Sequence, residues 1–423
     1  MFHTASKAPS VNPRNNARLG THLRALTLAS TVALGLLMPG VAAWANEASV
    51  ISDFTATTFG TAPVGRLLVS KTNTLYGVAS DDGPYGLGAV YELFQPDGVH
   101  WARKLIYAFE TTAAGKQPSA GLIKDKKGNL YGVTAQGGTW GKGTVYKLAL
   151  NADGSFTHSV LYSFQGSTDG SQPVSELVFD AEGNLYGTAS LNGEHGQGTA
   201  FKLIAKKNGW KFTLLHGFTG TDGDGKSPSG QLVVDSAGAV YGTTVAGGTY
   251  NFGVVYKLTP GEKNVYAESI VLTFRGDNGF NPVGGLATDT SGALYGTSTA
   301  AGPNGGGTLF KLAPAGDGSF TYSLLHAFAG SGQGWQPYGA VMPTDNGIFY
   351  GTTAAGGSAN AGVVYQLAPS DDGSYKYSVI YDMGIAGNGS YAGLARIKSE
   401  LFGTMSYAND SWNGGVFEVN RKK

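Results

Sequence analysis

Across residues 118–164 short apolar runs alternate with turns of glycine and polar residues, and no apolar stripe recurs at helical spacing. The runs 120–125, 130–135, 144–150 and 159–164 read as four strands. They are separated by Lys127-Gly128-Asn129, by the Gly-rich segment 136–143, and by Asn151-Ala152-Asp153-Gly154-Ser155. The same phrase, an aromatic-Gly step followed by a Gly-rich loop and an apolar run, is centred on Tyr76, Tyr131, Tyr186, Tyr241, Tyr295, Tyr350 and, degraded, Phe402. The copies are spaced at 52 to 55 residues. A unit of that length cannot bury a core alone and must stack on its neighbours. Four short strands without a helix make a propeller blade, so the pattern predicts an all-β, seven-bladed β-propeller.

The two ends of the chain complete one another. The last unit, through Leu401-Phe402-Gly403 and Val416-Phe417-Glu418-Val419, has three strands. Residues 49–54 match 159–164, the fourth strand of the second unit. Pairing that N-terminal strand with the C-terminal unit closes the ring and leaves neither sheet edge open.

Residues 1–45 read differently. Lys7, Arg14, Arg18 and Arg24 precede an apolar stretch over 25–41, and Ala43-Trp44-Ala45 offers a small-x-small cleavage site, the signature of a secretory signal peptide. The expected domains are therefore 1–45, removed on export, and the propeller over 46–423, in the periplasm or outside the cell. Loss of those four cations turns 29 basic and 29 acidic residues into 25 and 29, a balance that predicts no nucleic-acid partner. The chain has no cysteine, which excludes disulfides and a thiol nucleophile. No later segment reads as a membrane span, and a monomer is expected.

The phrases Gly-x-Leu-Tyr-Gly-Thr-Thr, Gly-Gly and Gly-Thr-Val-Tyr-Lys-Leu, as in Gly238-Ala239-Val240-Tyr241-Gly242-Thr243-Thr244, resemble the bacterial GloVer-type tandem repeat family. The resemblance covers nearly all of 46–423 and implies a propeller-like fold and export, with no defined activity. Many relatives end in a surface anchor. Here Lys423 follows the last repeat, and a soluble exported protein is expected.

In such a blade, the loops joining strands two and three, and those joining one blade to the next, emerge on one face. The repeats differ most there. Tyr85, Trp140, Tyr250, Trp335 and Trp412, with Asp169 and Asp224, stand out as candidate ligand-binding residues, because aromatic faces beside carboxylates suit sugars. The alternative for each tryptophan is packing over a Gly-rich turn. His195, beside Glu194, is the candidate acid/base residue. His216 and His326 fill a slot held by tyrosine in other repeats and read as structural, while His158 and His100 read as solvated. Asp222-Gly223-Asp224-Gly225 resembles part of a calcium loop but lacks its terminal Glu, so a plain turn is the competing reading. No phosphate cradle or nucleophile elbow is present, and no cofactor is predicted.

Together these features predict an exported propeller that binds carbohydrate or another envelope polymer through its loop face. A polysaccharide lyase would use His195 with Lys142 or Lys116, and a hydrolase two carboxylates such as Asp169 and Asp224 across the mouth. A third reading is a structural or protein-binding module.

Overall fold

The computed structural model describes residues 47–54, 57–384, 387–405, 407–408 and 413–420. The segment read as a signal peptide and Trp412 lie outside them.

Seven antiparallel sheets follow one another along the chain in a ring. Blade 4 shows the plan, with strands Gly225–Val234, Val240–Gly247, Val254–Pro260 and Tyr266–Thr273 hydrogen-bonded in that order. Blade 7 takes Ala395–Ile397, Glu400–Met405 and Gly415–Asn420 from the C-terminus and Glu47–Asp53 from the N-terminus. Glu47 pairs with Asn420 and Asp53 with Gly415, so the ring closes as the repeat phase requires. No α-helix occurs among the described residues, and none is long and apolar enough to cross a membrane.

Two strand limits differ from the sequence reading. In blade 2 the innermost strand is split into Lys116–Pro118 and Ile123–Lys124, both paired with Leu130–Gln136, because Ala120 and Gly121 turn to line the axis before Leu122 enters the core. The outer strand starts at Phe156, three residues early, since its pairing with Leu150 tightens the preceding turn.

The repeated phrase has a direct physical cause. In four of the Tyr-Gly steps the tyrosine sits on the first turn of its blade: the hydroxyls of Tyr131, Tyr186, Tyr241 and Tyr295 donate to Asp125, Asp180, Asp235 and Asp289 over 2.8 to 3.3 Å. The lysine of the Lys-Leu step covers that ring, as Lys202 Nζ does 4.8 Å from the centre of Tyr186. The glycine makes room for the third strand's aromatic. A Cβ at Gly132 would stand 2.5 Å from the Tyr146 hydroxyl and 2.7 Å from Cζ of a fully buried ring.

The apolar core is divided into seven layers, each shared by two successive blades. Tyr131, Val133 and Val145 of blade 2, for example, pack with Leu185, Phe201 and Leu203 of blade 3. At the outer end of several layers a side chain from one fourth strand stacks on the fourth strand of the next blade. Tyr107 lies on His158 at 4.6 Å, Tyr162 on Phe212 at 4.5 Å and His326 on Tyr377 at 4.1 Å, all within 17° of parallel. His158, expected to be solvated, is therefore part of an interblade stack, and its Nε2 is buried without a partner.

Candidate functional site

Near the axis the inner strands approach backbone to backbone. At Gly65, where φ is +70°, a Cβ would overlap the main chain of Gly121 in the next blade. Three residues after the repeated proline (Pro63, Pro118, Pro173, Pro228, Pro282, Pro337) the chain places Arg66, Gly121, Glu176, Gln231, Gly285 and Ala340. Only three of these six carry a polar side chain. Arg66 Nη2 donates to Glu176 Oε1 over 2.6 Å, joining blade 1 to blade 3 across blade 2. Gly121 permits the span, because a Cβ there would lie 3.0 Å from Glu176 Oε2. The Glu176 carboxylate, working against burial, holds the Arg66 pKa above its ordinary value, so the channel keeps a fixed cation.

Above this pair the channel opens into a cavity of about 340 Å³, lined also by Gln231, Tyr338, Tyr391 and Met405. Tyr338 and Tyr391 meet edge to face at 5.0 Å, and Tyr391 is 58 % exposed. Arg66, Gln231 and Ala340 also border a second cavity of about 360 Å³, which runs on along the inner strands among Val178, Leu232, Val234 and Met342. The ion pair thus stands at a waist between the tyrosine-bearing mouth and a second cavity further along the inner strands.

The loops of the two classes named from sequence do share a face. Gly138 N donates to Thr112 O at 2.7 Å and Gly248 N to Asp224 O at 2.8 Å, tying each strand two-three loop to the preceding blade connection. Tyr85, Trp140 and Tyr250 are each more than half exposed there. Trp335 is half-buried, its Nε1 donating to Asn360 Oδ1 at 3.2 Å. His195 and Lys142 are exposed, and among the described residues His195 has no hydrogen bond or ion pair. Asp169 is buried by its own turn, accepting from the Tyr162 hydroxyl at 2.8 Å, from Gln165 N at 2.8 Å and from Ser167 N at 3.3 Å. Asp224 is buried in the next such turn, accepting from Thr219 N at 2.7 Å. Both carboxylates are thus engaged in blade connections, while the axial groups Arg66, Glu176 and Gln231 were passed over by a search confined to loops.

A family model, the Gloeobacter/Verrucomicrobia repeat, matches the sequence over residues 41–236 and again over 227–423. The chain belongs to this family. A solved structure from Bacteroides uniformis, described provisionally as a 6-phosphogluconolactonase, is 14% identical with a TM-score of 0.51, over 75% of this chain and 85% of its own. One of unknown function from Dyadobacter fermentans is 12% identical with a TM-score of 0.44, over 88% of this chain and 97% of its own. No curated protein matches the chain. At these identities the likeness to the Bacteroides structure concerns the fold alone.

This Gloeobacter/Verrucomicrobia repeat propeller carries a second polar constellation, which joins His216, read from sequence as structural, to the candidate Asp224 and to Glu268, which the sequence reading did not single out. Where blades 3 and 4 meet, His216 Nε2 lies 3.2 Å from Asp224 Oδ2 and 3.5 Å from Glu268 Oε2. The two carboxylates hold His216 above its ordinary pKa in spite of burial. Burial pushes the Glu268 carboxyl up to about 7, with His216 opposing and Asp224 reinforcing the shift. The outlying acid of the calcium-like run, Asp222, is exposed and stands apart from this group in burial. The signal available in the sequence was Glu268 itself, a carboxylate at the outer-strand position where other blades carry His158, Phe212, Tyr322 and Tyr377.

Proposed function

We propose that this protein is an exported binding propeller that takes a carbohydrate or another hydroxyl-rich envelope polymer on its loop face, with one unit of the polymer seated in the axial mouth. The observation that carries this reading is the composition of that one cavity. Tyr338 and Tyr391 supply faces for the C-H side of a sugar ring, while Gln231 and the Arg66–Glu176 pair supply donors and acceptors for hydroxyls. Tyr85, Trp140 and Tyr250 on the same face would extend contact along a chain of such units. Export rests on the leader-like segment at residues 1–45.

The test is retention of the protein on a panel of neutral and uronic-acid polysaccharides, followed together with release of reducing or unsaturated ends. Retention without new ends, weakened at least about fivefold in Tyr391→Ala, is expected, since one stacked sugar ring contributes on the order of 1 kcal/mol or more. Retention by no polymer, or equal retention by Tyr391→Ala, would remove the mouth from consideration. New ends would replace binding with catalysis.

A further inference from the structure

We propose that His216, Asp224 and Glu268 form a binding site for a Zn²⁺-type divalent cation at the joint between blades 3 and 4. The argument begins with what the neighbouring joints contain. At the preceding joint Tyr162 stacks on Phe212 and donates its hydroxyl to Asp169. His216, Glu268 and Asp224 occupy the same three places one blade further on. An apolar stack capped by a hydrogen bond has been exchanged for an imidazole and a second carboxylate, and no fold-level requirement explains the exchange.

The geometry suits a metal. One ligand atom from each of the three residues lies within 4.8 Å of the others. His216 Nε2 is 3.2 Å and 3.5 Å from its two carboxylate oxygens, and ligands held about 2.0–2.1 Å from a tetrahedral Zn²⁺ stand about 3.3 Å apart. The three side chains come from three separate segments: the end of Gly209–Gly217, the blade connection, and Tyr266–Thr273. Three protein ligands leave the fourth position for water, as in open zinc sites.

A second observation points to a missing partner. Asp224 is 9 % exposed, and its Oδ1 and Glu268 Oε1 are both buried without a hydrogen-bond partner. Buried carboxylate oxygens are costly when unsatisfied, and a cation between the two acids would satisfy them together. The imidazole selects the class of ion. Calcium and magnesium take oxygen ligands in larger number, whereas one nitrogen with two carboxylates suits zinc and its first-row neighbours.

The experiment uses the full chain, stripped with chelator and titrated with Zn²⁺ alone, with Co²⁺ as a spectroscopic probe. About one Zn²⁺ per chain is expected, with tetrahedral Co²⁺ absorption and a melting temperature raised by the metal. The double variant His216→Tyr/Glu268→Phe rebuilds the Tyr162, Phe212 and Asp169 joint, so it should keep a cooperative fold. It should lose at least about 100-fold in Zn²⁺ affinity. Asp224→Asn, which copies Asn278 of the following blade connection, is the second variant and should weaken binding in the same direction. Failure of the parent chain to take up Zn²⁺, or equal uptake by parent and folded variants, would overturn the site.

Discussion

The ring of Tyr107 lies flat on that of His158 across the joint between blades 1 and 2, 4.6 Å away and 3° from parallel. His326 repeats the relationship on Tyr377 at 4.1 Å and 4°. In both histidines Nε2 is buried and unpartnered, and burial lowers the pKa from 6.5 to about 4. The folded state thus holds two imidazoles neutral that the unfolded chain would protonate near 6.5. Their contribution to stability is present above that value and is lost as pH falls from about 6.5 to about 4. Discounted for partial exposure, the loss should be about 1 kcal/mol for each histidine. Urea midpoints measured at pH 7 and 4.5 should separate less in His158→Phe/His326→Tyr, which borrows residues found in the same slots of blade 3 and blade 2. An undiminished acid shift in that variant would dismiss the stacked histidines as its source.

The glycine of the Tyr-Gly step offers a test of why the repeat looks as it does. Gly132 has no positive φ, so alanine there is opposed by packing alone: by the Tyr146 ring, whose hydroxyl would lie 2.5 Å from the new Cβ, and by Leu122 Cδ2 at 3.0 Å. That ring is fully buried in a close-packed layer and cannot move aside without disturbing Leu148 and Phe109. Gly132→Ala should cost about 3 kcal/mol or more, at the upper end of overpacking penalties. Gly316→Ala, in open space and without a positive φ, should change the melting temperature little. Similar values for the two would mean that the phrase is not written by this contact.

The axial ion pair makes a separate prediction. Glu176 is nearly buried and Arg66 about two-fifths exposed, so removing the acid leaves a partly desolvated guanidinium with no counter-ion. Glu176→Gln should lower stability by about 1–2 kcal/mol, less than a fully buried pair would lose, because water reaches Arg66. The freed cation should also draw anions into the mouth. Retention on uronic-acid polymers should therefore rise relative to neutral ones and fall again with added salt. An unchanged ratio would argue that the ligand does not reach the waist of the channel.

Repetition made the fold readable, because an error of phase in one copy is corrected by the other six. Tyr131, Gly132, Lys147 and Leu148 recur because each answers a contact inside its own blade or with the next one, and such contacts leave a periodic trace. The axial groups leave a different trace. Arg66 and Glu176 are 110 positions apart and meet only when the ring closes over Gly121. Aligning the position three after each proline exposes them, as aligning the outer strands exposes Glu268, but neither residue announces a partner. The loop residues Tyr85, Trp140 and Tyr250 were visible as variable aromatics, and their exposure follows from standing on turns with no neighbouring blade above them. Asp169 and Asp224 looked equally variable, yet each carboxylate also caps its own turn, a duty that asparagine takes over in the next connection as Asn278, so it is written irregularly.

Ring closure provides the last test. Phe54 is fully buried, its amide donates to Gly414 O at 3.0 Å, and the strand Glu47–Asp53 runs along Gly415–Asn420 with one register shift between Val50 and Ser52. Without that strand, blade 7 would present Gly415–Asn420 as an unpaired edge, and the layer it shares with blade 6 would lose the cover of Ala48 and Val50. Exposed edges recruit other chains, so deletion of 47–53 should lower soluble yield and shift the protein to larger species by size-exclusion chromatography. A synthetic peptide of residues 47–54 should restore the elution of the whole chain by adding the missing strand. A truncated protein with the elution volume and melting temperature of the whole chain would show that three strands suffice to close the ring.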